Sequence, residues 1–175
     1  MKVTDLFHTK GCVAFEDAKR ILGEAEYATA RDMATAYLQG GGDWVLVVAS
    51  AVAALDRESW WDAARLSFQS PHLPADVQRY ARTLCLQNWR AARYACKQAY
   101  LSATTDSARA AAVAAKIAGS FASDVECMPR WDRRSRLSAG RSFAHYAKDA
   151  DPASREKILE IIFEAMDEFA VYAAE

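Results

Sequence analysis

The chain has 175 residues, 22 basic and 23 acidic side chains, a formal net charge of −1, and is 52% hydrophobic and 26% charged. That length suits one domain spanning 1–175 with a sizeable core, and the apolar fraction excludes a disordered chain. Four Cys are too few for a disulfide scaffold, and seven Gly with four Pro exclude fibrous or low-complexity classes.

Residues 1–15 alternate charged, polar and apolar positions and lack the apolar run of a secretory signal. A first helical region is expected over about 13–38, kinked or broken at Gly23 and stopped by Gly40, Gly41 and Gly42. Asp43 then caps an element over 44–55 that is apolar nearly all round and hence central. Its opening Val45-Leu46-Val47-Val48 has strand-like composition, but the alanine-rich continuation over 49–55 favours a helix. Twelve residues fall short of the roughly 20 that a bilayer requires, so no membrane span is expected.

A short helix follows over about 58–68, and Ser70-Pro71-His72-Leu73-Pro74 reads as a turn with Pro74 opening the next helix. From 75 to about 102 the pattern stays helical without Gly or Pro. Thr104-Thr105-Asp106 stops it and caps a helix over 107–126, and Met128-Pro129 sets a boundary, since a residue before proline avoids the α region. A basic helix containing Gly140 is expected over about 131–148, and Asp151-Pro152 starts a final one reaching almost to Glu175. Alanine supplies roughly a fifth of the residues and no sustained period-two segment occurs. The expected fold is therefore all-α, a compact single-domain bundle of about seven helices with the apolar 44–55 helix at its centre.

The neutral total conceals a segregated charge pattern. Residues 1–78 carry 7 basic and 11 acidic groups, residues 79–157 carry 15 and 7, and residues 158–175 carry 5 acids and no base. In the middle block no acid occurs between Asp76 and Asp106, while Arg79, Arg82, Arg90, Arg93 and Lys97 recur at spacings that share one helix face at about 100° per residue. A second basic cluster, Arg130, Arg133, Arg134, Arg136 and Arg141, follows the proline break. Near the end, Glu160, Glu164, Asp167 and Glu168 form an acidic stripe opposite Ile158, Ile162, Met166 and Phe169. Their i,i+4 repulsions cost about 0.2–0.5 kcal/mol each, so something outside that helix is expected to compensate. Internal docking on the arginines, or exposure for a partner, would both do so.

Motifs for chemistry are sparse. His8, His72 and His145 stand outside HExxH and ExxH patterns, and Cys12, Cys85, Cys96 and Cys127 form no CxxC pair. Reduced, buried thiols in a cytoplasmic protein are expected, with no cofactor and no metal. Arg141 and His145 share a helix face one turn apart, a pairing that an arginine-assisted histidine acting on a phosphodiester would use. The acids of the last helix would serve a magnesium-dependent nucleotide hydrolase only with a second acidic helix, for which Glu16, Asp17, Glu24 and Glu26 are the candidates. The adjacent Trp60 and Trp61 point about 100° apart, so both rings are expected to line the seam between two packed helices; the alternative leaves one partly exposed near Arg57, Arg65 and Phe68 as an interface anchor.

The leading expectation is a non-enzymatic module acting by stoichiometric binding of a protein partner, of inhibitor, immunity or adaptor type, such as phages and mobile elements encode. Its candidate binding residues are the two basic clusters with Trp60 and Trp61. The first alternative is nucleic-acid binding through 79–97 and 130–141, with Tyr80, Trp89, Tyr94 and Tyr100 interleaved as stacking surfaces, although Tyr80 and Trp89 lie near the apolar face and are expected in the core. The second is a small helical nuclease or nucleotide hydrolase. Homo-oligomer formation stays open.

Overall fold

Sequence periodicity and tertiary packing together produce a structure in which the described residues form helices and no strand. The computed structural model describes residues 2–7, 13–55, 60–126 and 132–172. The helices are α1 (Val3–Leu6), α2 (Val13–Leu22), α3 (Ala30–Gln39), α4 (Trp44–Ala54), α5 (Trp60–Ser67) and α6 (Ala75–Gln78). A 3-10 turn (Arg79–Arg82) leads to α7 (Leu86–Ser102), α8 (Asp106–Glu126), α9 (Arg133–Ala150) and α10 (Ser154–Tyr172). None of these helices is long and apolar enough to cross a membrane.

The helix ends follow local chemistry. Thr29 caps α3 through a reciprocal box with Asp32. The glycines stop α3, with Gly41 at φ +87°, a conformation that side chains with a Cβ rarely adopt. Asp43 caps α4 by accepting from the Val45 amide at 3.0 Å, Thr105 caps α8 by accepting from Ala108 at 3.1 Å, and Asp132 caps α9 by accepting from Ser135 at 2.7 Å. The Tyr37 hydroxyl ties the α3–α4 corner together, donating to Asp17 Oδ2 at 2.6 Å and accepting from the Asp43 amide at 3.3 Å.

Helix α4 buries nine of its eleven residues, against α9 above all and also against α1 and α10. Each fully buried valine contributes about 1.5–3 kcal/mol relative to an exposed one. Gly140 lets α9 approach closely: a Cβ there would stand 2.9 Å from Ala49 Cα and 3.0 Å from Val52 Cβ. That contact offsets the usual penalty of about 0.5–1 kcal/mol for glycine within a helix. Helix α8 lies between α7 and α9 and packs on α5 as well.

The expected break at Gly23 is present, and a second, unexpected break divides the next long segment. Residues 13–38 separate into α2 and α3, joined by a non-helical stretch after Gly23 (φ +64°). Residues 75–102 break at 83–85, although no glycine or proline marks the site. There the Leu84 carbonyl accepts from Arg65 Nε at 3.1 Å and the Thr83 carbonyl from Asn88 Nδ2 at 2.7 Å. Asn88 Oδ1 in turn accepts from the Cys85 amide at 3.0 Å, so side chains replace the helix's own bonds. The ladder is exchanged for tertiary contacts, and Arg79 and Arg82 leave the helix that carries Arg90, Arg93 and Lys97.

Trp60 and Trp61 are both buried, 1% and 3% exposed, in keeping with the seam reading, and neither serves as an exposed anchor. Helix α5 has core on two sides. Trp60 Nε1 donates to the Leu55 carbonyl at 3.0 Å and its ring meets Phe121 edge-on, with centroids 5.9 Å apart; Phe121 in turn meets Phe143. Trp61 turns the other way, onto Trp89, with centroids 6.4 Å apart. Adjacent positions about 100° apart thus reach two separate aromatic contacts.

Candidate functional site

Helix α7 buries Trp89, Ala92, Cys96 and Ala99 and turns the opposite face outward. That face carries Leu86, Arg90, Tyr94, Lys97 and Leu101 at spacings of four, four, three and four, one stripe at helical periodicity. Tyr94 and Leu101 are 65% and 66% exposed, and of the exposed large apolar side chains among the described residues only Tyr146 lies off α7. Scattered exposed apolar residues are ordinary; a cluster interleaved with Arg and Tyr has the composition of an interface core.

Beside this stripe runs an open groove of about 1180 Å³, floored by α8 and walled by α7 and α9. Its floor includes Ala110, Val113 and Ile117; Lys97 and Tyr100 come from one wall, and Arg134 and Tyr146 from the other. Arg109 and Lys116 add charge from α8 itself. Arg109 pairs with Asp106 at 3.0 Å, whereas among the described residues no carboxylate lies within ion-pairing distance of Lys97, Lys116 or Arg134. Cys96 also borders the groove; burial pushes its thiol up to about 12, so it stays protonated and unreactive as a nucleophile.

The remaining expected residues divide. Arg90 and Arg93 are exposed on α7, and Arg79 and Arg82 are exposed on the 3-10 turn, where Arg79 lies over the Tyr80 ring at 5.0 Å. Arg141 is exposed on α9, on the same face as His145. Arg136 is instead buried and pairs with Asp124 at 3.7 Å, which removes it from the candidate surface. Arg130 lies outside the described residues, as does Arg57, and Arg133 is described only by its backbone place at the start of α9.

Among its described side chains, the acidic stripe does not dock on the basic block; the side chain of Glu168 lies outside the described residues. Asp167 pairs with Arg31 of α3, whose guanidinium also covers Phe163 at 5.2 Å. Glu160 and Glu164 are exposed and have no ion-pair partner among the described residues. Of the acids near the start of the chain, Asp17 is engaged: bonds from Tyr37 and then Arg20 hold its carboxyl below the usual range. Among the described residues no three His, Cys, Asp or Glu side chains gather as a metal would require.

Sequence reasoning missed the contributions of Arg109, Lys116 and Tyr146, because they join Lys97 and Arg134 only once α7, α8 and α9 lie side by side. The one available signal was the run Arg109, Val113, Lys116, Ser120 along an otherwise alanine-rich helix. Compared with protein-family models, with curated proteins and with solved structures, the chain matches none of them.

Proposed function

We propose that this chain is a non-enzymatic module that binds a protein partner stoichiometrically, as an inhibitor, immunity or adaptor protein does, through the outward face of α7 and the adjoining groove. The observation that carries the reading is the concentration of exposed Leu86, Tyr94, Tyr100 and Leu101 among Arg90, Arg93 and Lys97. Aromatic and arginine anchors dominate protein interfaces, and unpaired cations steer an acidic partner into contact at rates that fall with salt. Exposed leucines distinguish this surface from a phosphate-binding one, since they add nothing to the capture of a polyanion. A cytoplasmic setting belongs to the same reading, with Cys85 and Cys96 as thiols.

A second reading is favoured by one observation: Lys97, Lys116, Arg134, Tyr100 and Tyr146 line a single groove, the mixture of cations and stacking surfaces that single-stranded nucleic acid uses. Affinity capture from the native host lysate, with and without nuclease, separates the two. The proposal expects a retained protein in equimolar amount that survives nuclease and is lost with Tyr94→Ala/Leu101→Ser. Retention of nucleic acid alone, or a protein equally retained by the double variant, would reject it.

A further inference from the structure

Resting on the reading of α7 as a protein-binding face, we infer that the groove between α7 and α9 seats an amphipathic helix of the partner, apolar on its inner face and acidic along its flanks. The floor supplies the first half of this specification. Ala110, Val113 and Ile117 lie at i, i+3 and i+7 along α8, so the apolar strip runs lengthwise between the two walls. A helix laid along it offers its own side chains at the same periodicity, the helix-in-groove arrangement. At about 1180 Å³ and open to solvent, the groove exceeds the roughly 300–1,000 Å³ of typical small-molecule sites. Among the described residues there is no strand, so no sheet edge is available for an extended peptide to join.

The rims supply the second half. Lys97 on α7, Lys116 on α8 and Arg134 on α9 border the groove with no carboxylate of the described residues in ion-pairing distance. Asp149 is the one lining acid besides the paired Asp106, so the groove keeps an excess of positive charge. An occupant with Asp or Glu flanking its apolar strip neutralises that excess; a polyanion would leave the Val113 and Ile117 strip against its charged backbone. A second copy of this chain is the weaker occupant, because its acidic helix α10 already buries Ile158, Ile162 and Met166 in its own core.

The test is selection from a displayed library of random 16-residue peptides against the full chain, in parallel with a random single-stranded oligonucleotide pool. Enriched peptides should carry apolar residues at i, i+3 or i+4, and i+7, with acids on the flanks, and their affinity should fall as salt rises. Lys97→Glu/Lys116→Glu, which alters two exposed side chains, should weaken them by about tenfold or more, the equivalent of about 1.4 kcal/mol. Val113→Glu should do the same with an unchanged circular dichroism spectrum. Enriched peptides without acidic flanks, peptides indifferent to the charge reversal, or enrichment of oligonucleotides in their place would overturn the inference. So would a dimer of the chain that the charge reversal dissolves. Partner capture that depends on Tyr94 and Leu101 without any acidic helix enriched removes this inference and leaves the α7 reading standing; failed capture removes the reading itself.

Discussion

Trp89 of α7 rests its ring on Gly119 of α8, so closely that a Cβ at position 119 would overlap the ring. This contact sets the spacing of the two helices that wall and floor the groove, and it brings Trp89 to Trp61. Gly119→Ala should therefore destabilise the fold by about 1–3 kcal/mol, the usual cost of overpacking, despite alanine's better helix propensity. Urea denaturation of the variant checks this; a stabilised Gly119→Ala would show that the ring moves away freely.

Trp60 and Trp61 belong to the core, so truncating either to Ala should cost about 3–5 kcal/mol. Tyr94→Ala and Leu101→Ser, at exposed positions, should stay within about 0.5 kcal/mol of the parent. Thermal unfolding of the four single variants would separate the two classes. A tryptophan variant of parental stability would contradict the burial.

Most helix boundaries were legible because their causes are local: the glycines after α3, Asp43, Thr105 and the Asp151-Pro152 pair act on neighbouring backbone groups. The break at 83–85 was not, because Arg65, from nineteen residues away, accounts for one of its bonds. Burial of both tryptophans was legible as a helix seam, but their separate contacts with Phe121 and Trp89 depend on α5 having core on two sides, which no periodicity reveals. Of the candidate surface, Arg90, Arg93, Lys97 and Arg134 were named from charge spacing alone. Arg136 was misread because its partner Asp124 lies across the α8–α9 connection, and buried and exposed arginines look identical in a charge count.

Cys96 gives the stability a pH dependence of known sign. Burial raises its thiol from the ordinary value near 9 to about 12, so the neutral form is favoured in the folded state. Its contribution is complete below about pH 9 and is lost as pH rises from there towards 12. Cys96→Ala should lower stability at pH 7 yet show a shallower decline between pH 9 and 11 than the parent. Denaturation midpoints of both proteins across that range test it; parallel curves would contradict the assignment.

Glu160 and Glu164 face each other one turn apart on α10 with no cation to relieve them among the described residues. Glu164→Lys converts that repulsion into an i,i+4 attraction and should stabilise the fold by about 0.4–1 kcal/mol at low salt, the gain shrinking at high salt. Partner capture should be unchanged, since α10 is separate from the α7 face. Lost capture would transfer the interface to the acidic stripe.

The central claim is stoichiometric binding through the outward face of α7, and calorimetric titration of the captured partner tests it most directly. The account predicts one site per chain, affinity that falls with salt, and a loss of about tenfold or more for Tyr94→Ala/Leu101→Ser in a variant that remains folded. Parental affinity in that variant, or substoichiometric action of the chain with turnover of the partner or of nucleic acid, would contradict it.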